Sequence, residues 1–311
     1  MFKSVRPRYV IKKYAGRKFP QKRRNKITDD DIILKYNTPK IVDKSTNITT
    51  IGSCFAQRLS EWLIKEKFNY VDGKWDRVYS PRNIKQILKM AFEPETLDIT
   101  ERFWKFDGDW GDPYIKESAG RPLRLPNNAK DAIKKQKSYY NHFKKTLSEC
   151  EVLIVTYGQT QVWSHKLSPD TSFFTAPFVG IEEGEKNHIC KDLTIDEIKN
   201  ETREIIRLMT ENNPLCKIIF SVSPIPLVAS INDNYSAFIS ANLAKTKLHS
   251  ALLEVLEDND GTYYMPSFEF TNAHLYDSFK EDGRHVTQSF ANKIMGMFNK
   301  LFVKGIEIKI I

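Results

Sequence analysis

No apolar run in this chain of 311 residues approaches the ~18 needed to span a bilayer as a helix. The longest, such as Val152–Val155 and Ile218–Val222, have the length of buried strands. Cysteine is scarce. Cys54, Cys150, Cys190 and Cys216 lie far apart, with no pair at C-x-x-C spacing. That excludes a zinc ribbon or a dense disulfide scaffold, and free thiols in a reducing cytosol are expected. There is no glycine-rich phosphate loop and no histidine pair at metal-ligand spacing, so no cofactor and no metal are expected. The N-terminus has no apolar stretch of the secretory kind, and its many lysines and few serines argue against a transit peptide. The expected location is the cytoplasm.

Acidic residues are missing from one place in particular. Residues 1–26 hold eleven lysines and arginines and no acid. The whole chain has 48 basic and 39 acidic residues, a net charge of +9. Removing the +11 arm leaves 37 basic against 39 acidic residues, so the body carries −2. A basic protein invites a nucleic-acid reading, but here the charge belongs to an extension. With 41% hydrophobic and 12% aromatic residues the body can build a substantial core.

Residues 1–46 read as an extension, interrupted by Pro7, Pro20 and Pro39. The remainder, 47–311, reads as one domain in which strand and helix patterns alternate. Strands are expected near 47–51, 152–156, 217–223 and 262–265. Helices are expected from Phe55 to Phe68, from Ser80-Pro81 to Phe92, over 129–149, 194–211 and 235–257, and from about Thr287. Ser80-Pro81 supplies an N-cap and a first-turn proline. Thr194 with Glu197 makes a capping box. The stretches 93–128 and 164–193 show no sustained period and read as long loop insertions, the first rich in aromatics. This order predicts an α/β fold, a three-layer α/β/α sandwich with a mainly parallel central sheet. In such folds ligands gather at the carboxyl ends of the strands.

Three motifs follow expected strands. Gly52-Ser53-Cys54-Phe55-Ala56 puts a serine at a strand–helix junction, where backbone N–H groups can serve an oxyanion. From position alone, an N-cap role outweighs a nucleophilic one. Thr156-Tyr157-Gly158-Gln159-Thr160-Gln161-Val162-Trp163 places a glycine for close backbone approach, with Thr160 and Gln161 able to aim donors into the same crevice. In isolation an ordinary strand exit outweighs a functional reading. Asp282-Gly283-Arg284-His285 sets a carboxylate three residues before a histidine, the spacing at which Asp can bind the imidazole and fix its tautomer. Alone, that spacing is common by chance. All three belong to the same predicted edge.

Residues 52–56 match the defining motif of the GSCFA-domain family, and the chain from about Thr50 to Phe298 resembles that family. Further matching stretches are Tyr79-Ser80-Pro81, residues 156–163, Val222-Ser223-Pro224 and residues 264–269, ending at Asp282-x-x-His285. The family is similar to SGNH-type esterases and acyltransferases, whose fold is flavodoxin-like. The resemblance implies Ser53 as nucleophile, His285 as general base and Asp282 as its orienter. Thr160 then stands where SGNH enzymes carry an oxyanion-binding Asn, with Gly158 and Gln161 beside it. Two departures stand out. Val286 follows the histidine where the family has proline, and Ser223-Pro224-Ile225-Pro226-Leu227 lacks the family's basic and imidazole side chains. The implied activity is serine-dependent esterase or O-acyltransferase chemistry on an acylated carbohydrate or small ester, with an acyl donor in the transferase case. Two other classes compete. One is a non-catalytic glycan- or partner-binding module on a hydrolase-like fold. The other is an anionic-surface or nucleic-acid contact through the basic arm. A solvated tail accounts for the arm as well.

Overall fold

The structure, a computed structural model, describes residues 28–33, 36–96, 104–106, 109–118, 121–124, 129–166, 172–173, 188–227, 229–274 and 278–305. The basic arm lies outside them. Four strands form the centre: β1 (Ile48–Gly52), β5 (Val152–Tyr157), β9 (Lys217–Val222) and β10 (Thr262–Met265). They stand in the order β1-β5-β9-β10 and every neighbouring pair is parallel. Parallel strands covered on both faces must be apolar throughout. Accordingly all five residues of β1 and all six of β5 are buried.

The pleat divides these side chains between two cores. Ile51, Leu153, Val155, Ile218 and Phe220 face one layer of helices, formed by α2 (Pro81–Phe92), α3 (Ala129–Glu149), α4 (Ile195–Asn212) and α5 (Ala237–Leu256). Ile48, Val152, Ile154, Ile219 and Met265 face the other, with α1 (Cys54–Lys65), α6 (Ser267–Ala273) and α7 (Gln288–Phe302). This is the expected three-layer α/β/α sandwich. Registration aligns Gly52, Thr156, Ser221 and Met265 in one row across the carboxyl edge. The outer edge of β1 is covered by the segment after α1. Ile48 donates to the Asn69 carbonyl, while Val71 and Val78 donate to Ile48 and Gly52.

The insertions differ from their reading as loops. Within 93–128, β2 (Trp104–Phe106), β3 (Asp109–Ser118) and β4 (Arg121–Arg124) form an antiparallel sheet. At the second insertion, β6 (Gln161–His165) is flanked by β7 (Ser172–Phe173) and β8 (His188–Asp192), again antiparallel. Apart from the ten-residue β3, which carries Gly111 and Pro113, these strands are short, and none shows an alternation strong enough to read in sequence. Capping followed expectation. Ser80 Oγ accepts from Asn83 N–H with Pro81 in the first turn, and the Thr194–Glu197 box closes both ways.

Candidate active site

The site is built first from the end of β1. Gly52 takes φ 139°, a backbone that side chains rarely adopt. A methyl group there would stand 2.3 Å from the Thr156 carbonyl oxygen, so only glycine fits so close to β5. This turn delivers Ser53 to the N-cap of α1, where its Oγ accepts from Phe55 N–H at 3.3 Å. Ser53 N–H donates to Thr156 Oγ1 at 3.0 Å, and the two hydroxyls are 3.2 Å apart. Ser53 is buried.

The end of β5 closes on the same point. A methyl at Gly158 would lie 3.1 Å from Ser53 Cβ and 3.2 Å from the Tyr79 ring, so the glycine lets β5's exit pack against the serine. Gly158 and Gln159 both donate N–H groups to the Tyr79 carbonyl, at 2.6 and 3.0 Å. The Gly158 carbonyl accepts from the buried amine of Lys245 on α5. Thr160 is also buried, and its hydroxyl donates to Asp192 Oδ1 at 2.6 Å. Gln161 fastens another segment: its amide donates to Ser230 Oγ and its carbonyl accepts from Ile231 N–H. Cys54, half-buried, has its Sγ 3.6 Å from both Tyr79 Oη and an Arg77 nitrogen.

The last component precedes α7. Gly283, at φ 64°, turns the chain so that Asp282 Oδ1 accepts from the N–H groups of Arg284 and His285, both at 2.9 Å. Asp282 Oδ2 lies 2.6 Å from His285 Nδ1. That bond, followed by the two backbone donors, holds the Asp282 carboxyl well below the usual carboxylate range. Arg284 Nε reaches the Pro226 carbonyl at 3.5 Å, which ties this loop to the segment after β9. Asp282 and His285 are each about half-exposed. The structure therefore makes two groupings, Ser53 with Thr156 and Gly158, and Asp282 with His285. Among the described residues no hydrogen bond joins Ser53 to His285.

Sequence reading missed Thr156 as the hydroxyl partner of Ser53, and it missed Lys245. The first depends on strand register. The second had a signal: Lys245 interrupts a face otherwise made of Ala241, Ala244, Leu248 and Leu252. A cavity of about 440 Å³ opens between α1 and the 70–77 segment and reaches Gly52, with Gln57, Ser60, Glu61, Tyr70 and Asp72 on its walls. Among the described residues no group of three His, Cys, Asp or Glu could hold a metal ion, and no helix is long and apolar enough to cross a membrane.

A model of the GSCFA family matches residues 47–298. The chain belongs to the GSCFA family. The match covers every element of this GSCFA domain from β1 nearly to the end of α7. No curated protein matches the chain. Among solved structures, the GSCFA chain is similar to one described as a GDSL-like lipase from Parabacteroides merdae, at 13% identity and a TM-score of 0.41, covering 84% of this chain and 98% of that one. It is also similar to a family 3 carbohydrate esterase of Clostridium thermocellum, at 11% identity and a TM-score of 0.34, covering 83% and 95%. A family 3 carbohydrate esterase from Talaromyces cellulolyticus gives 10% identity and a TM-score of 0.35, covering 82% and 95%.

Proposed function

We propose that this chain is a serine esterase or O-acyltransferase acting through an acyl group on Ser53. The observation that carries the reading is the Asp282–His285 pair. With Nδ1 held by the carboxylate at 2.6 Å, the ring's Nε2 is left to take and return a proton. In the proposed reaction Ser53 Oγ attacks the ester carbonyl as His285 Nε2 removes its proton. The C–O bond to the leaving alkoxide then breaks, and the imidazolium returns the proton to it. Water or a sugar hydroxyl then gives its proton to His285 as it attacks the acyl group, the bond to Ser53 Oγ breaks, and the serine regains its proton, releasing the acid or the transferred ester. The N-terminus of α1, with its N–H groups lacking acceptors within the helix, faces the forming oxyanion. Ser53 N–H, Gly158 N–H and the Thr160 hydroxyl already have acceptors within the protein, so their part in oxyanion binding requires those bonds to be exchanged. Hydrogen bonds of this kind commonly tighten only with substrate bound.

An acylated carbohydrate is the proposed substrate class. The cavity beside Gly52 mixes polar groups (Gln57, Ser60, Glu61, Asp72) with apolar ones (Ala56, Ile64, Trp75), a lining that can take both the hydroxyls and the ring face of a sugar. A cytoplasmic location accompanies this proposal, and the basic arm is suited to an anionic surface.

One observation favours the alternative of a non-catalytic binding module: Ser53 is buried with its hydroxyl bonded to Thr156 and Phe55. Hydrolysis of aryl acetates separates the two readings. We expect Ser53→Ala to lose at least about 10³-fold in kcat/KM and His285→Ala to lose a comparable factor. Equal rates in wild type and Ser53→Ala, with no fluorophosphonate labelling of the wild type, would leave the binding module standing.

A further inference from the structure

Lys245 lies on α5 in an apolar face beside Ala241, Ala244 and Leu248, and it is 3% exposed. A primary amine is costly to bury, and such groups are ordinarily paired with a carboxylate. Among the described residues no carboxylate pairs with Lys245. Its Nζ donates instead to the carbonyl of Gly158, 87 positions earlier in the chain. Burial pushes its pKa down to about 7. Near neutrality the side chain therefore holds its place as a hydrogen-bond donor whether or not it is charged.

The partner it has chosen is the informative point. Gly158 is buried, and its backbone is gripped from both ends. Its own N–H and that of Gln159 converge on the Tyr79 carbonyl, while its carbonyl meets Lys245. The same residue packs so closely on Ser53 that a single methyl would come within 3.1 Å of the serine Cβ. Removing Lys245 leaves a buried carbonyl without its donor, and the 158–159 peptide is then anchored on one side alone, through the Gln159 N–H on the Tyr79 carbonyl. Gly158 then no longer defines the wall against Ser53.

We propose that Lys245 is a positioning residue of the Ser53 site, its amine fixing the Gly158 carbonyl and thereby the turn at 158–160 that packs on the serine. The proposal rests on Ser53 being the nucleophile. A buried unpaired amine is also a cost to stability, so a residue kept for position shows a particular signature: its apolar replacement loses rate without losing fold.

The test is aryl acetate hydrolysis and fluorophosphonate labelling of the full chain in wild type, S53A and K245M, with thermal melting of each. Methionine keeps the length of the stem and removes the donor. Expected for K245M is a fall in kcat and in labelling rate of about 10- to 100-fold, KM within about twofold, and a melting temperature equal to or above wild type. A kcat within twofold of wild type, with S53A inactive, overturns the positioning role alone. A parallel loss of melting temperature and kcat also overturns it, in favour of a structural role. Equal activity in wild type and S53A overturns the nucleophile reading and this proposal with it. Should K245M not fold, K245L, which likewise removes the donor, is judged by the same criteria of rate, KM and melting temperature.

Discussion

Gly52 shows how much of the site a single missing side chain decides. Its φ of 139° and the 2.3 Å approach of a would-be Cβ to the Thr156 carbonyl leave no room for any other residue. The obstacle is strand backbone, which cannot swing away as a side chain would. Gly52→Ala is expected to cost about 3 kcal/mol or more in denaturant unfolding, and to displace Ser53 so that fluorophosphonate labelling falls at least about tenfold. A substitution with unchanged stability would mean that β1 can part from β5 without cost. Gly158 is the gentler case, since its close neighbour is the Ser53 side chain at 3.1 Å. Both glycines were visible in the motifs. For Gly158 the close approach was read there too; what each glycine approaches was not, because it lies in the parallel register that sets Gly52 opposite Thr156.

At the level of elements, the helices were readable because each carries its own signals. α2 begins with Ser80-Pro81, and the apolar face of Ile84, Ile87, Leu88 and Ala91 follows at helical spacing. What fastens α2 to α4 was not readable. Arg82 donates to Glu201 at 2.7 Å and to Glu197 at 3.0 Å, and Lys85 meets the other oxygen of Glu201 at 2.6 Å. Burial alone would raise the Glu197 carboxyl. Hydrogen bonds from Lys191, the Thr194 N–H and Arg82 bring it down to about 2. With the Arg82 and Glu201 side chains only 13% and 7% exposed, Arg82→Met strands a buried carboxylate with Lys85 as its remaining partner. The expected loss is about 2–3 kcal/mol by urea unfolding at pH 7. Glu197, brought from 4.5 to about 2 in the fold, adds stability that is present above pH 4.5 and is lost as the pH falls towards 2. The two small antiparallel sheets mark the opposite limit. Most of their strands are short, and the ten-residue β3 is interrupted by Gly111 and Pro113, so no alternation in 93–128 or 164–193 announced them.

For the molecule as a whole, Lys245 couples the site to stability. Its amine has an unfolded pKa of 10.5 and a folded value near 7, so between those limits the unfolded chain binds more protons. Its contribution to stability therefore rises as pH climbs from about 7 to about 10, by at most about 5 kcal/mol. Below pH 7 the amine is charged in both states and its full burial cost is present. Lys245→Met should accordingly exceed wild type in stability by most at pH 6.5, with the gap narrowing by pH 9.5 in paired urea titrations. A gap independent of pH would show that the amine is solvated. By itself the sequence determined the α/β alternation, the order of the four central strands along the chain, the helix caps, the family, and the nearly neutral body behind a basic arm. These are local or compositional properties: hydrophobic period, capping residues and contiguous motifs are written within a few residues of one another. Only the tertiary structure decided that Thr156 bonds the Ser53 hydroxyl, that Thr160 and Gln161 have acceptors of their own, and that an amine 87 positions beyond Gly158 holds its carbonyl. Those contacts follow from parallel register and helix docking, which bring together residues that no spacing in the chain relates.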